Sequence, residues 1–375
     1  MMIDVEKIRE QFPVTRSKVF LNHSAYSPLP QPVVDVMRRY NDELSRFEVV
    51  EEDYTLGHEV FAELIGAGKE EVALVPNTST SLNIAVSMLD CPLGANVVTT
   101  DLEYPSVVYP WLKRRREGLE VRYVKNLGGR VLLEDMVKAI DDKTVAVAIS
   151  HVAYSNGFRH DLKALAEATR EHGAYLIVDA IQSLGVIPVN VKKEEVDFMM
   201  ASCYKWMLGP AGAGYLYVRK ELVERLEPTF VGWASVKPGV FETVDFWDIW
   251  QLQLSDTASR FEVGAPSFVS YMGAVAAIKL LLEMGIEKIQ ERVLDLTDLL
   301  MEKVKDLGYQ LTTPEDRECR SGIVHFHIDK AQEKADALKK KGIIVSARSN
   351  GLRVAPHFYN TEEEIDRLIK ELRNA

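Results

Sequence analysis

Short apolar segments alternate with longer amphipathic segments through most of this 375-residue chain. The short segments are apolar almost throughout, as expected of parallel strands that are covered on both faces. Parallel strands must be joined by crossovers, and the amphipathic segments between them are typical of helices. The sequence therefore predicts an α/β fold with a mainly parallel sheet. The expected strands are Val72–Val75, Asn96–Thr99, Val121–Tyr123, Val145–Ser150, Tyr175–Val178, Phe198–Ala201 and Tyr215–Val218. The helices expected between them are Ser81–Leu89, Pro105–Arg116, Leu133–Ile140 and Asp161–His172, the last capped by Asp161 and ended by Gly173.

The pattern changes from about Gly273 onward. A long helical region is expected over Met272–Leu307, followed by a mixture of short strands and helices, which indicates a smaller α+β domain. Before it, Val231–Ser259 is rich in Trp, Phe and Asp and has little periodicity; a loop of that length is usually functional. The later elements are expected at Ile323–Ile328 (strand), Lys330–Lys341 (helix), Ile343–Ala347 (strand), Leu352–Ala355 (strand) and from Thr361 (helix).

Composition excludes several classes of function. The formal net charge of −11 argues against a non-specific nucleic-acid binder, because such proteins need a basic face. The three cysteines are scattered, which favours a reduced, cytoplasmic location over a disulfide-linked secreted protein. No apolar run reaches the roughly 18–20 residues needed to cross a bilayer, so no membrane association is expected. The eight histidines are dispersed, so no protein-bound metal is expected either.

An acid and a lysine are expected to meet at one edge of the sheet. Asp179 ends the apolar run Ala174–Val178, and Lys205 follows directly after the next strand along the chain. The carboxyl ends of parallel strands are where open α/β sheets bind ligands. Pyridoxal phosphate (PLP) chemistry needs such a pair, a lysine to hold the cofactor and a carboxylate to keep its pyridine nitrogen protonated. Taken singly, Lys205 could be a surface lysine and Asp179 a helix cap.

The segment around Lys205 resembles a known family. The run Ser202-Cys203-Tyr204-Lys205, followed by the glycine-rich Gly209–Gly214, is similar to class V aminotransferases of PLP fold type I. That family includes cysteine desulfurases, kynureninases and isopenicillin-N-epimerase-like proteins. The resemblance extends from Leu21–Ala25 to Arg353 and Thr361, essentially the whole chain. It implies that Lys205 carries PLP as a Schiff base and that Asp179 faces the pyridine nitrogen.

The same resemblance implies a two-domain homodimer. Residues 16–265 would form the large PLP-binding domain, and residues 1–15 with 266–375 the small domain. The family donates a phosphate contact to the partner subunit from the segment that matches Arg260–Ser267. Ala265 stands there in place of the desulfurase threonine.

The cofactor phosphate is expected at the start of a helix. Thr78 and Ser79 lie between a strand and a helix, where free N–H groups and hydroxyls favour an anion, although a plain helix cap is an equal alternative from this segment alone. The resemblance favours the phosphate site and adds Ser202 and Tyr204 as further contacts. It also implies that Trp233 contacts the phosphate from the partner subunit.

The resemblance also implies contacts to the cofactor ring and to the substrate. Tyr104 matches the residue that stacks on the ring, which an aromatic side chain can do. Gln182 matches the residue at the ring's phenolic oxygen, while the ring-contacting asparagine has no clear counterpart among Tyr154, Ser155 and Asn156. Arg353 matches the arginine that clamps the substrate α-carboxylate, for which a guanidinium is well shaped.

The expected activity is amino transfer between a small amino acid and an oxo acid, with Lys205 as general base and acid at Cα. A desulfurase-like or other β-lyase reaction, or epimerisation, remains an alternative, because all of them share one carbanion. A protein that binds PLP without catalysis is the alternative of another class. The segment before Arg353 lacks the cysteine that a persulfide-forming desulfurase needs, and Cys203 is better explained as a packed thiol.

Overall fold

The computed structural model describes residues 3–48, 54–243, 246–247 and 250–373. The α-helices are α1 (Val5–Arg9), α2 (Gln31–Ser45), α3 (Leu56–Ile65), α4 (Thr78–Ser87), α5 (Pro105–Arg114), α6 (Leu133–Ala139), α7 (Leu162–Glu171), α8 (Lys220–Arg225), α9 (Phe268–Met284), α10 (Ile286–Asp306), α11 (Ala331–Lys340) and α12 (Glu362–Arg373). The strands are β1 (Val19–Phe20), β2 (Val72–Val75), β3 (Asn96–Thr100), β4 (Glu120–Val124), β5 (Thr144–Ser150), β6 (Tyr175–Asp179), β7 (Phe198–Ser202), β8 (Gly214–Val218), β9 (Phe241–Thr243), β10 (Phe246–Trp247), β11 (Val324–His327), β12 (Ile343–Ile344), β13 (Ser346–Arg348) and β14 (Gly351–Val354).

A seven-stranded sheet forms the centre of the molecule, in the order β2-β8-β7-β6-β5-β3-β4. Only β8 runs antiparallel to its neighbours, so the prediction of a mainly parallel sheet is confirmed. Every expected strand of this sheet is present, with each end within one residue of its prediction. Helices and loops cover both faces, which is why β2, β3, β7 and β8 are buried along their whole length.

The crossover helices follow the local signals in the sequence. Asp161 caps α7 by accepting a hydrogen bond from the Ala164 N–H at 3.0 Å. Gly173 follows that helix with φ +67°, a left-handed conformation that glycine adopts without steric cost. The caps predicted for this helix are therefore confirmed.

The predicted long helical region Met272–Leu307 is confirmed, and it consists of two helices because the chain bends by 80° between α9 and α10. The break falls at Gly285, whose φ of +82° lies outside the helical range. Helix α9 is buried on nearly all sides against α2 and α3, whereas α10 buries one face. Among the described residues, no single helix is long and apolar enough to cross a membrane, and α9 with α10 meets that criterion only as this bent pair.

A small antiparallel sheet, β11-β14-β13, lies in the C-terminal part of the chain. The strand expected over Ile343–Ala347 is instead two strands, since β12 pairs with β1 and β13 pairs with β14. This region has its own apolar core, which Val19 and Leu21 join from the N-terminal side. The division into residues 16–265 and residues 1–15 with 266–375 stays a prediction.

The segment 231–259 is less regular than the rest. Its described part contains a short 3₁₀ helix at Trp233–Ser235 and the small hairpin β9–β10. Residues 244–245 and 248–249 of the predicted functional loop lie outside the described residues.

Candidate active site

Asp179 lies at the edge of the central sheet that is formed by the carboxyl ends of its parallel strands. Asp179 is the last residue of β6, is 3% exposed, and accepts a hydrogen bond from the Ile181 N–H at 2.9 Å. Burial raises its pKa to about 6, while that hydrogen bond and the nearby Lys205 act in the opposite direction. A buried carboxylate of this kind is suited to a cationic partner such as a pyridinium N–H.

Lys205 lies in the loop after β7, at the same edge. Its Nζ is 5.8 Å from the ring centroids of both Tyr104 and Tyr204. Burial lowers the pKa of Lys205 to about 8, Asp179 raises it, and Arg353 and Arg348 lower it further. The predicted pair of acid and lysine is therefore close enough to interact electrostatically, and the lysine is poised to lose its proton near neutral pH.

Tyrosine rings surround this lysine. Tyr104 packs edge to face with Tyr154 at a centroid distance of 5.3 Å, and Tyr204 stacks on Tyr26 at 5.5 Å. Tyr104 is 47% exposed, so one part of its ring is open to a ligand. These rings offer flat apolar surfaces beside Lys205, as an aromatic cofactor requires.

The beginning of α4 and the end of β7 form an anion cradle. The N–H of Thr78, the first residue of α4, donates to Ser202 Oγ at 2.8 Å, and Thr78 Oγ1 lies 2.9 Å from the same atom. Ser79 Oγ is 2.7 Å from Ser106 Oγ, at the start of α5. Asn77 caps α4 by accepting from the Thr80 N–H at 2.9 Å. The cradle thus combines a helix N-terminus with several hydroxyls, which suits a phosphate.

Gln182 is buried and connects three parts of the chain. Its Nε2 donates to the Ser24 carbonyl at 2.9 Å, and its Oε1 accepts from Trp206 Nε1 at 2.9 Å. Trp206 is the neighbour of Lys205, so the amide fixes the lysine loop against the N-terminal segment. A primary amide has two N–H donors, and the second remains for a ligand.

Arg353, on β14, is a buried cation without a described carboxylate partner. It is 2% exposed, and Nη1 donates to the Tyr154 carbonyl at 2.6 Å while Nε donates to Ser346 Oγ at 3.3 Å. Burial lowers its pKa to about 9, Arg348 lowers it further, and Tyr154 raises it. Since burying an unpaired charge is costly, this position favours an anionic ligand.

The three candidates for the missing asparagine differ in their surroundings. Asn156 is fully engaged, because Nδ2 donates to Gly129 and Thr312 carbonyls and Oδ1 accepts from the Phe158 N–H. Ser155 Oγ is buried and has no hydrogen-bond partner among the described residues. Tyr154 contacts both Tyr104 and Arg353. We therefore expect Tyr154 or Ser155 to face the cofactor.

Trp233 lies apart from the other predicted residues. It is 50% exposed and lines a cavity of about 560 Å³ together with His58, Lys237 and Pro266. The remaining predicted site residues do not line this cavity. The contact from Trp233 to the partner subunit stays a prediction.

Glu103 is a partly buried carboxylate whose place in the site the sequence did not reveal. It accepts hydrogen bonds from the Ser150 N–H at 2.9 and 3.0 Å, from Ser150 Oγ at 2.6 Å and from Thr100 Oγ1 at 3.2 Å. Burial raises its pKa to about 7, and Asp179 adds to this rise against those hydrogen bonds. Its position directly before Tyr104 was the only available signal.

A buried histidine joins the two ends of the chain beneath the lysine loop. His23 Nδ1 is 2.8 Å from the Ala355 carbonyl, and Nε2 is 2.7 Å from Tyr359 Oη. His357 Nε2 lies 3.0 Å from the Trp206 carbonyl. The N-terminal segment, the lysine loop and the segment after Arg353 are thus held together, which explains His23, for which the sequence indicated no role.

The residues present fit PLP. The hydroxyl cradle at Thr78 and Ser202 suits its phosphate, the buried carboxylate of Asp179 suits its pyridine nitrogen, and Lys205 Nζ suits its aldehyde. Two nearby buried atoms, Ser24 Oγ and His151 Nδ1, have no described hydrogen-bond partner, which leaves polar groups for a ligand.

Comparison with known proteins gives a consistent result. A family model described as aminotransferase class V matches residues 19–368. The chain is 34% identical to the uncharacterized aminotransferase YcbU of Bacillus subtilis (strain 168), over 98% of this chain and 97% of that protein. It is 29% identical to a probable cysteine desulfurase of Pyrococcus abyssi, over 99% of each. The apo structure of a cysteine desulfurase from Thermococcus onnurineus NA1 superposes with a TM-score of 0.89 at 27% identity, covering 100% of this chain and 98% of that one.

Proposed function

Because this chain belongs to the class V aminotransferase family of PLP-dependent enzymes, we propose that it transfers an amino group from a small amino acid to an oxo acid. The observation that carries the proposal is that Asp179 and Lys205 follow neighbouring strands at one edge of the central sheet, and that Arg353 donates from β14 to the Tyr154 carbonyl, which follows β5 at the same edge. These three groups supply what amino-acid chemistry on PLP requires. Asp179 offers a carboxylate for the pyridine ring, Lys205 offers an amine for the cofactor aldehyde, and Arg353 offers a guanidinium for the substrate carboxylate.

Bound PLP supplies an electron sink for the pair of electrons released at the substrate Cα. Lys205 is the residue to move the Cα proton, because burial lowers its pKa to about 8 and so makes the neutral amine accessible. Arg353 would orient the substrate through its carboxylate, and its hydrogen bonds to the Tyr154 carbonyl and Ser346 Oγ fix the guanidinium plane.

The cofactor would be held by residues from several elements. Thr78, Ser79, Ser202 and Tyr204 would bind the phosphate, and Tyr104 would cover one face of the ring. Asp179 would hold its charge beside the pyridine nitrogen, and Gln182 would offer its remaining N–H. Support comes from the distances already given, which bring Tyr104, Tyr204 and Lys205 together.

The assembly proposed is a homodimer in a reduced, cytoplasmic setting. Trp233, Gly264 and Pro266 line one cavity, whose lining does not include Lys205, and there they could reach a partner's cofactor. All three cysteines, Cys91, Cys203 and Cys319, are free thiols, which supports a reducing compartment. Light scattering tests the dimer, and a stable, fully active monomer would contradict it.

The reaction type is argued from the cysteines. Cys203 is fully buried, and this burial raises the pKa of its thiol, so it is a poor nucleophile. Cys319 lies on a 3₁₀ helix before β11, and the hairpin that leads to Arg353 carries no cysteine. Amino transfer needs no such thiol, whereas persulfide formation does.

The second candidate is a cysteine desulfurase-like or other β-lyase reaction. It is supported by the relatives and the solved structure that are named cysteine desulfurases. A PLP-binding protein without catalysis is disfavoured by Arg353, since a protein that only holds the cofactor has no use for a buried carboxylate clamp.

The deciding experiment incubates the PLP-loaded protein with a panel of amino acids, with and without oxo acids. Visible spectra report reaction with the cofactor, and mass spectrometry identifies the products. We expect oxo-acid exchange that Lys205→Ala abolishes and that substitution of the exposed Lys125 leaves intact. Release of sulfide from L-cysteine without any amino transfer would favour the second candidate.

A further inference from the structure

Backbone hydrogen bonds hold the loop around Lys205 in a strained shape. The Ser27 N–H donates to the Tyr204 carbonyl at 2.9 Å, and the Leu208 N–H donates to the Lys205 carbonyl at 3.0 Å. Leu208 has a φ of +59°, a left-handed conformation that a residue other than glycine keeps only when its surroundings impose it. The shape of the loop, and with it the position of the Lys205 amine, therefore depends on contacts from other parts of the chain.

The carbonyl of Trp206, the residue after Lys205, is held by a side chain. His357 is fully buried, and its Nε2 lies 3.0 Å from the Trp206 carbonyl oxygen. Gly185 packs against the same carbonyl, because a Cβ at that position would come within 2.3 Å of the oxygen. Since a buried acceptor that loses its donor is costly, we expect this contact to matter for the conformation of the loop.

The hydrogen bonds of His357 fix its protonation. The Phe358 N–H donates to Nδ1 at 2.9 Å, so Nδ1 carries no proton and Nε2 is the N–H that donates to the Trp206 carbonyl. Burial lowers the pKa of His357 to about 4, while the hydrogen bond to Trp206 acts in the opposite direction. The ring is therefore uncharged near neutral pH, and it holds the loop as a hydrogen-bond donor.

The segment that contains His357 continues the strand that carries Arg353. His357 follows β14, and the residues before and after it are fixed by the fully buried His23. His23 Nδ1 is 2.8 Å from the Ala355 carbonyl, and its Nε2 is 2.7 Å from Tyr359 Oη. His357 thus connects a firmly held extension of the Arg353 strand directly to the lysine loop.

We propose that His357 is a positioning residue, which fixes the Lys205 amine relative to the Arg353 guanidinium by holding the Trp206 carbonyl. Its effect on turnover rests on the proposed function, in which Lys205 moves a proton of a substrate that Arg353 orients. A misplacement of reacting groups by about 1 Å can lower a rate by about 100-fold. A side chain that touches neither cofactor nor substrate can therefore control the reaction through the loop.

Two substitutions of His357 separate the contact to Trp206 from the rest of the ring. His357→Gln places an N–H donor near the position of Nε2, so it can still donate to the Trp206 carbonyl. The side chain in His357→Asn is too short for that contact, although its oxygen can still accept from the Phe358 N–H. Tyr359→Phe is the matched control, because it removes a buried hydrogen bond of the same segment, to His23, that does not involve the lysine loop.

The first measurement is the rate at which Lys205 attaches PLP covalently after the apoprotein and the cofactor are mixed, followed by the visible spectrum. His357→Asn should slow this attachment by about tenfold or more, because the amine is no longer held in place. His357→Gln should restore the rate to within about threefold of the unmodified protein, and Tyr359→Phe should match it. Circular dichroism confirms that each variant is folded.

The second measurement is steady-state kinetics of amino transfer. In His357→Asn, kcat should fall by about 10–100-fold while the KM for the amino acid stays within about threefold, because Arg353 keeps its hydrogen bonds to Tyr154 and Ser346. A purely structural role would instead lower kcat and the amount of folded protein together, and it would do so in Tyr359→Phe as well.

The inference is overturned by a normal attachment rate in His357→Asn, or by equal slowing in His357→Gln or Tyr359→Phe. If His357→Asn does not fold, nuclear magnetic resonance of the unmodified apoprotein with isotope-labelled histidine decides. We expect the proton of His357 on Nε2, and a proton on Nδ1 instead would rule out the contact to Trp206. The failure of the proposed function looks different: the attachment rates would still separate the variants, but no amino acid would be converted.

Discussion

Ser202 Oγ accepts a hydrogen bond from the Thr78 N–H at 2.8 Å and lies 2.9 Å from Thr78 Oγ1. The contact joins the last residue of β7 to the first residue of α4, and Lys205 follows in the loop directly after β7. The phosphate cradle and the lysine are therefore parts of one rigid unit. A cofactor held at its phosphate would be presented to Lys205 without further rearrangement.

The first prediction concerns that unit. Ser202→Ala should weaken PLP binding by roughly tenfold or more, because a hydrogen bond to a charged group contributes about 1.5–3 kcal/mol. Absorbance titration of the apoprotein with PLP measures the dissociation constant. Ser87→Ala, at the exposed far end of α4, is the control and should bind as the unmodified protein does. Unchanged affinity in Ser202→Ala would remove the cradle from the phosphate site.

The second prediction concerns Lys205. The variant Lys205→Ala should fold normally, since the side chain makes no described hydrogen bond that the fold depends on, but it should not hold PLP covalently. Borohydride reduction of the loaded protein followed by peptide mapping locates the modified lysine. We expect the label on Lys205. A label on Lys192 or Lys193, which lie before β7, would contradict the assignment.

The third prediction separates binding from catalysis at Asp179. Asp179→Asn keeps the shape of the side chain but removes the charge that would hold the pyridine nitrogen protonated. PLP should still bind, while kcat falls by about 100-fold or more, the scale seen when one electrostatic contact to developing charge is lost. Steady-state kinetics alongside PLP titration separates the two effects. Near-normal kcat would show that the carboxylate has another task.

The strands could be predicted from sequence because burial on both faces makes them continuous apolar runs. Asp179 and Lys205 were predicted for the same reason, since each directly follows such a run. The break at Gly285 was missed because one glycine inside a long helical pattern is usually tolerated. Its φ of +82° accompanies the 80° bend between α9, which packs against α2, and α10.

The parts of the site that come from distant segments were harder to predict. Tyr26 stacks on Tyr204 only because the N-terminal segment folds over the lysine loop. The amide of Asn156 could not be excluded from the site without seeing that Gly129 and Thr312 already engage it. Side-chain contacts over such sequence separations leave no periodic signal.

The fourth prediction is a pH dependence of stability. Glu103 has its pKa raised to about 7 by burial, so the folded protein binds a proton that the unfolded chain releases at lower pH. Stability therefore falls as the pH rises from about 4.5 to about 7. Glu103→Gln cannot lose a proton and can still accept from the Ser150 N–H, so it should gain up to about 2–3 kcal/mol on the unmodified protein by about pH 8.

Thermal melting of both apoproteins between about pH 5 and about pH 8 checks this, as the Tm difference should grow with pH. Glu224→Gln, an exposed glutamate on α8, should show no such growth. A constant Tm difference for Glu103→Gln across the range would mean that Glu103 is charged in the folded protein throughout.

The last prediction is that catalysis needs none of the three cysteines. Cys203 is sealed in the core against Tyr215, and burial raises its thiol pKa, so little thiolate forms near neutral pH. Cys91 and Cys319 are partly exposed, yet neither precedes Arg353 on its hairpin.

The test is a triple variant in which Cys91, Cys203 and Cys319 are all replaced, with alanine at position 203 so that only a small cavity is left. This variant should keep kcat for amino transfer within about threefold of the unmodified protein, because the chemistry is assigned to Lys205. Assays with L-cysteine run in parallel. The desulfurase reaction would be established instead if the unmodified protein formed a persulfide on Cys203 or Cys319, the triple variant formed none, and neither protein transferred an amino group. Equal release of sulfide by the unmodified protein and the triple variant would indicate a β-lyase.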